Sequence, residues 1–141
     1  MTVLTRLPDW RSRFEAEIDA IKLRPFSWED HECGIGLIGN MVLAMTGEDA
    51  AAPWRGRYRS YRGAVRVMRN EGFGNIADLI ASMLPEIHPG LARIGDIAAF
   101  PDDTALGFSL GIVNGERVFV LTETAMGTMD LLQATRAFRV G

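Results

Sequence analysis

After Gly90 the chain changes its hydrophobic period, and that change restricts the fold more than any other feature. Before it, apolar residues recur at helical spacing. Trp10, Phe14, Ile18 and Ile21 mark one helix from about Asp9 to Lys22, which Pro25 ends. "GIGLIGNMVLAM" runs apolar from Gly34 to Met45, with Gly47 placed where a C-cap glycine belongs. Ser60 is placed to cap a third helix carrying Ala64, Val65 and Met68, closed by "NEGFG". Asn75 followed by Asp78 has the form of a capping box opening "IADLIASML", which Pro85 ends. Beyond Gly90, "DIAAF" reads as a buried strand. "ALGFSLGIV" and "RVFVLTE" flank Asn114-Gly115, a pair suited to a type I′ turn, and so predict a hairpin. "MDLL" and "TRAFRV" predict two further short strands. Helices followed by an antiparallel sheet form an α+β pattern, with the helices packed on one sheet face.

At 141 residues the chain is expected to be one domain, 1–141, able to bury a core without disulfide or metal. No internal repeat, low-complexity tract or linker interrupts it. The formal net charge of -3 gives no reason to expect nucleic acid. A single cysteine allows no intrachain disulfide. The stretch "MTVLTRLPDWRSRF" has no apolar core of a secretory signal, and no apolar run approaches the ~20 residues that span a bilayer. A soluble protein, or a soluble part of an assembly, is expected.

Three features invite chemistry. Gly34, Gly36 and Gly39 match G-x-G-x-x-G, but a dinucleotide loop needs a strand before it and a βαβ unit around it. The polar "RPFSWEDHEC" precedes it instead, so these glycines read as helix positions kept small for close packing, at ~1 kcal/mol each relative to alanine. Cys33 stands at the head of this helix, where backbone N–H groups and the helix dipole favour a thiolate. A small buried hydrophobe is the plainer reading of a lone cysteine. His31 and Cys33 with Asp30 or Glu32 do not make a closed zinc site, because no second Cys/His pair exists. Neither metal nor cofactor is expected. Finally, "WRGRYRSYRGAVRVMR" interleaves arginines with aromatics. The pattern fits single-stranded nucleic acid, a protein interface or a solvated helix face. As an interface, its best local candidates are Trp54, Arg55, Arg57, Tyr58, Arg59 and Tyr61, after Pro53 on a surface loop.

Trp28 followed by Glu32-Cys33 at the head of a small-residue helix resembles the "W…DC" opening of NlpC/P60-type cysteine hydrolases, which have a papain-like fold. Gly95-Asp96-Ile97 resembles their "GD-apolar" start of the sheet. A nearer resemblance is to a phage-associated branch, a small domain family of unknown function related to NlpC/P60. It rests on "PFSWEDHEC", "MTGED", "GRYRSYRGAVRVMRNEGF", "RIGDIAAF", "ALGFSLGIVNG" and "AFRVG", from Pro25 to Gly141. Such genes are typically found among tail-tip genes of siphophages, prophages and gene transfer agents.

The resemblance implies Cys33 at the nucleophile position. It also implies a base histidine at the start of the strand after "GD", and a third polar residue on the next strand. Here the first region is "DTALGFSLGIV", without histidine, and the second, near Val118 to Val120, is apolar. His31 and His88, the two histidines of the chain, match neither position. Without an oriented base the triad logic lacks its parts. The expectation is therefore a catalytically degenerate, papain-like domain. It would serve as a structural or adaptor component of a phage-type tail tip, made in the bacterial host cytoplasm and contacting other tail-tip or baseplate proteins. The alternatives are a cysteine peptidase or amidase acting on peptidoglycan stem peptides through Cys33, and a tail-assembly factor absent from the finished particle.

Overall fold

The computed structural model describes residues 4–28, 34–122 and 124–141. Four helices come first: α1 (Trp10–Leu23), α2 (Ile35–Thr46), α3 (Tyr61–Asn70) and α4 (Ile76–Ala81). Local chemistry sets most of their ends. Gly47 closes α2 in the left-handed conformation, its N–H donating to the Leu43 carbonyl. The Ser60 side chain accepts from Gly63 N–H at 3.0 Å, and the Asn75 side chain from Asp78 N–H at 2.8 Å. The reciprocal half of the expected capping box differs: Asp78 Oδ2 accepts from the Asn75 side-chain amide at 3.1 Å rather than from its backbone. Helix α4 ends at Ala81, short of Pro85. Turn-type bonds from Met83 N–H and Leu84 N–H to the Ile80 carbonyl finish it.

Six strands follow: β1 (Glu86–Ile87), β2 (Ile97–Pro101), β3 (Phe108–Asn114), β4 (Arg117–Leu121), β5 (Met126–Asp130) and β6 (Arg136–Phe138). They form one antiparallel sheet in the order β1-β6-β2-β3-β4-β5. The expected hairpin is β3–β4, but its turn is not the expected type. Asn114 pairs with Arg117, so Gly115 and Glu116 are the central residues. Gly115 alone takes a positive φ, +76°, as the first position of a type II′ turn requires. "MDLL" divides: Met129 and Asp130 end β5, while Leu131–Gln133 forms a 3-10 turn capped by the Asp130 carboxylate. The two-residue strand β1 gives no signal in sequence.

Helix α2 lies at the centre. Nine of its 12 residues are buried, the pattern of a helix surrounded by other elements. Its Leu37, Ile38, Met41 and Met45 share one cluster with Phe14, Ile18 and Ile21 of α1, Leu79 and Ile80 of α4, and Ile97, Leu110, Ile112 and Phe138 of the sheet. Full burial of each such side chain is worth about 1.5–3 kcal/mol. The packing reading of the glycines is met at Gly39, where an added Cβ would overlap the Ala51 side chain and crowd Arg55. A smaller cluster, Ala98, Phe100, Val113 and Val118, occupies the other sheet face.

The Gly95-Asp96 pair has a clear physical role. Gly95 has φ +94°, and a Cβ there would meet the Met45 thioether at 2.5 Å. Asp96 is fully buried. Its carboxylate accepts from Arg93 N–H at 2.9 Å, Val140 N–H at 3.0 Å and the Arg6 guanidinium at 3.1 Å. Arg6 also donates to the Val140 and Ile94 carbonyls, at 2.7 and 2.9 Å, and lies over the Trp10 ring. One carboxylate thus ties the start of the described chain to its end.

Candidate functional site

The head of α2 faces the sheet where β3 and β4 part. Their pairing runs only from Ile112↔Phe119 to Asn114↔Arg117. Beyond that, β3 stays paired with β2 as far as Phe108, and β4 with β5 as far as Leu121. At the fork β4 crosses Gly111 closely: a Cβ there would lie 2.5 Å from Val118 Cγ1 and 2.7 Å from the Phe119 carbonyl oxygen, so only glycine fits. A cavity of about 270 Å³ opens in the fork, walled by Gly34, Ile76, Phe108, Leu110 and Leu121, with Tyr61, Asp102, Thr104, Ser109 and Thr122 among its polar lining.

Strand alternation decides what faces α2. Phe108, Leu110, Ile112, Phe119 and Leu121 belong to the helix-side cluster, and all are apolar. Ser109 pairs with Phe100 and so belongs to the other side. The polar groups at the rim hold one another. Asp102 Oδ1 accepts from Thr104 N–H at 2.9 Å and from its hydroxyl at 2.6 Å, and Oδ2 accepts from the Ser109 hydroxyl at 2.8 Å. The Tyr61 hydroxyl accepts from Ala105 N–H at 2.8 Å, and Ile76 N–H donates to the Leu106 carbonyl at 2.8 Å. These bonds fix the 102–107 loop over the cavity. They leave an apolar wall with a short polar rim, suited to holding an extended or apolar group.

Cys33 and His31 lie outside the described residues. The N-cap of α2 is Gly34, directly after Cys33 in sequence, and Ile38 N–H donates to the Gly34 carbonyl at 3.0 Å. His88 is exposed and sits between β1 and a 3-10 turn, Pro89–Leu91. Its Nδ1 accepts from Gly90 N–H at 2.9 Å. Since β6 and β2 separate β1 from β3, the structure does not bring His88 to the β3–β4 fork. Among the described residues, no group of three or more His, Cys, Asp or Glu side chains is arranged to hold a metal ion, and no helix is long and apolar enough to cross a membrane.

The arginine-aromatic segment is arranged differently from the expected open loop. Trp54 is in the core, 8% exposed, edge-on to Phe73 with Arg57 over its ring. It is therefore not available to a partner, because α3, the 51–57 turns and Phe73 close around it. Arg55 is engaged with Asp49 at 2.8 Å and Asn40 at 2.9 Å, and Arg57 with Glu71 at 2.6 Å. Tyr58 is half-buried against the core, while Arg59 is exposed. Tyr61 is edge-on to Trp28 at 5.9 Å. Only the exposed face of α3, with Arg62, Arg66 and Arg69, carries guanidinium groups without a partner among the described residues of this segment.

Sequence reasoning missed a second arginine centre. Arg136 on β6 grips Glu86 of β1 with two bonds, 2.8 and 2.9 Å, and Asp78 of α4 at 2.7 Å, and it lies near the Phe108 and Phe138 rings. The hydrogen bonds from Arg136 hold Glu86 below the ordinary carboxylate value, and Glu86 and then Asp78 raise Arg136. Nothing local in sequence marks this triad, whose members are 50 and 58 residues apart.

A family model described as a domain of unknown function (DUF6950) matches residues 5–140. No curated protein matches. Among solved structures, the chain is similar to the crystal structure of the NlpC/p60 domain of the peptidoglycan hydrolase SagA. Identity is 15% and the TM-score 0.52, over 91% of this chain and 97% of that one. The likeness is one of fold: helices followed by an antiparallel sheet, as in that domain.

Proposed function

The chain belongs to the DUF6950 family, and we propose that it uses an NlpC/P60-like fold as a structural or adaptor part of a phage-type tail tip, without efficient peptidase activity. The observation that carries the second half is the sheet wall. Where the resemblance puts a base histidine, at the start of β3, the residue facing the helices is Phe108, followed by Leu110. Where it puts a third polar residue, on β4, the helix-facing residues are Phe119 and Leu121. A thiolate at a helix head becomes a hydrolytic nucleophile only with a base to take and return protons, and that base must itself be oriented. The wall supplies neither group. The tail-tip half rests on the resemblance of the segments from Pro25 to Gly141 to a phage-associated family.

The test is incubation of the purified protein and a Cys33→Ala variant with peptidoglycan fragments, followed by product analysis. The expected outcome is no turnover that depends on Cys33. Turnover that disappears in the variant would instead favour a cell-wall hydrolase acting through Cys33 with His31 as base. Recovery of the protein in purified particles tests the assembly role. Its presence in lysates but absence from finished particles would favour an assembly factor.

A further inference from the structure

The back face of the sheet carries a surface that the reading above leaves unused. Two 3-10 turns, Pro89–Leu91 and Leu131–Gln133, lie against each other. Leu131 of the second turn, with Ala92 and Ala134 just after the two turns, packs inward on Ala98, Phe100, Val113 and Val118. The outward residues are leucines: Leu91 is 62% exposed and Leu132 is 92% exposed. Each turn is locked by a side chain. His88 accepts from Gly90 N–H and Asp130 from Leu132 N–H, both at 2.9 Å. The leucines therefore project from fixed backbone, and two of them on one rigid unit mark a contact surface in a way that a single exposed leucine does not.

Two arginines border this unit. Arg93 N–H and Val140 N–H donate to the same Asp96 carboxylate, so the backbones at 93 and 139–140 run side by side. Neither the Arg93 nor the Arg139 guanidinium has a partner among the described residues, and Arg139 Nε is buried without a hydrogen bond. Asp96 is already engaged with Arg6 and two backbone N–H groups. Burial, and with it the nearby charges of Arg93 and Arg139, lowers Arg6 from its ordinary value. Among the described residues the Arg6 guanidinium alone bonds to that carboxylate, so the positive charges of Arg93 and Arg139 stand near Arg6 without a carboxylate of their own.

We propose that this patch docks a segment of a partner protein in which carboxylate side chains alternate with apolar ones. The carboxylates would meet Arg93 and Arg139, and the apolar groups Leu91 and Leu132. Two exposed leucines beside two arginines call for a ligand that carries apolar and anionic groups side by side at side-chain spacing, which a protein segment supplies. The patch also offers no exposed aromatic ring on which nucleic-acid bases stack. The inference is independent of whether the chain hydrolyses anything.

The experiment titrates the full chain with a short fluorescein-labelled peptide of repeating Glu and Leu, followed by anisotropy. The matched controls are two peptides: Lys replaces Glu in one, and Ser replaces Leu in the other. Phosphatidylglycerol vesicles are a separate arm. The Glu-Leu peptide is expected to bind at least about tenfold more tightly than either control. Arg93→Gln combined with Leu132→Ser is expected to weaken it by about tenfold or more, with an unchanged thermal melt, since both side chains are exposed. Leu132→Ser alone, at the more exposed position, repeats the test if the double variant melts early. Equal binding of the three peptides, no binding of the Glu-Leu peptide, binding to vesicles alone, or undiminished binding by the variants would each overturn the proposal.

Discussion

Trp54 shows how much a single side chain's direction matters. Its sequence setting, after Pro53 and among glycine and arginines, reads as an exposed loop, and the backbone there is indeed a series of turns. The indole nevertheless points inward to Phe73, a residue 19 positions later on the far side of α3. No local rule gives that direction, because it depends on how α3 returns over the 51–57 turns. The consequence is a stability effect rather than a binding effect. Trp54→Ala is expected to cost the isolated domain about 3–5 kcal/mol, as removal of a large core aromatic does. Urea denaturation checks it. A variant as stable as the parent would return Trp54 to the surface and to the list of contact residues.

At the scale of elements, helix caps were legible and pairings were not. Ser60, Asn75 and Gly47 bond to backbone within a few residues, so sequence neighbours contain the whole interaction. The apolar wall at the β3–β4 fork was legible for the same reason, since alternation fixes the face of each residue. Strand β1, the type II′ turn and the Arg136 triad were not, because register and long-range contact decide them. Helix α3 carries a defect that its own sequence shows. Arg62, Arg66 and Arg69 repel one another at i, i+4 and i+7, and α3 contains no acid to offset them. Arg66→Glu is expected to stabilise the domain by about 0.5 kcal/mol through new i,i+4 and i,i+3 pairs, read as a small rise in melting temperature. The Arg136 triad adds a pH dependence. Because Arg136 holds Glu86 below its ordinary value of 4.5, the ionised form is favoured in the folded state. Its contribution is fully present above the unfolded value and fades as pH falls through the folded one. The stability difference between the parent and Arg136→Gln is therefore expected to be constant near neutrality and to shrink in acid, in denaturation curves taken across that range.

For the molecule as a whole, the largest single dependency is Asp96. It is fully buried, and Arg6, Arg93 and Val140 all close on it. Asp96→Ala would strand the mostly buried Arg6 cation and two backbone donors, and is expected to cost about 3–5 kcal/mol, measurable by urea denaturation. Asp96→Asn, which can still accept hydrogen bonds, is expected to cost less. The clamp also has a mechanical meaning. Because Arg6 bonds to the Val140 carbonyl as well as to Asp96, tension applied between the two ends of the described chain falls first on this small polar lock. Helix α2 and the sheet behind it bear no load until the lock gives way, so pulling experiments should find an early, short extension before the main unfolding event.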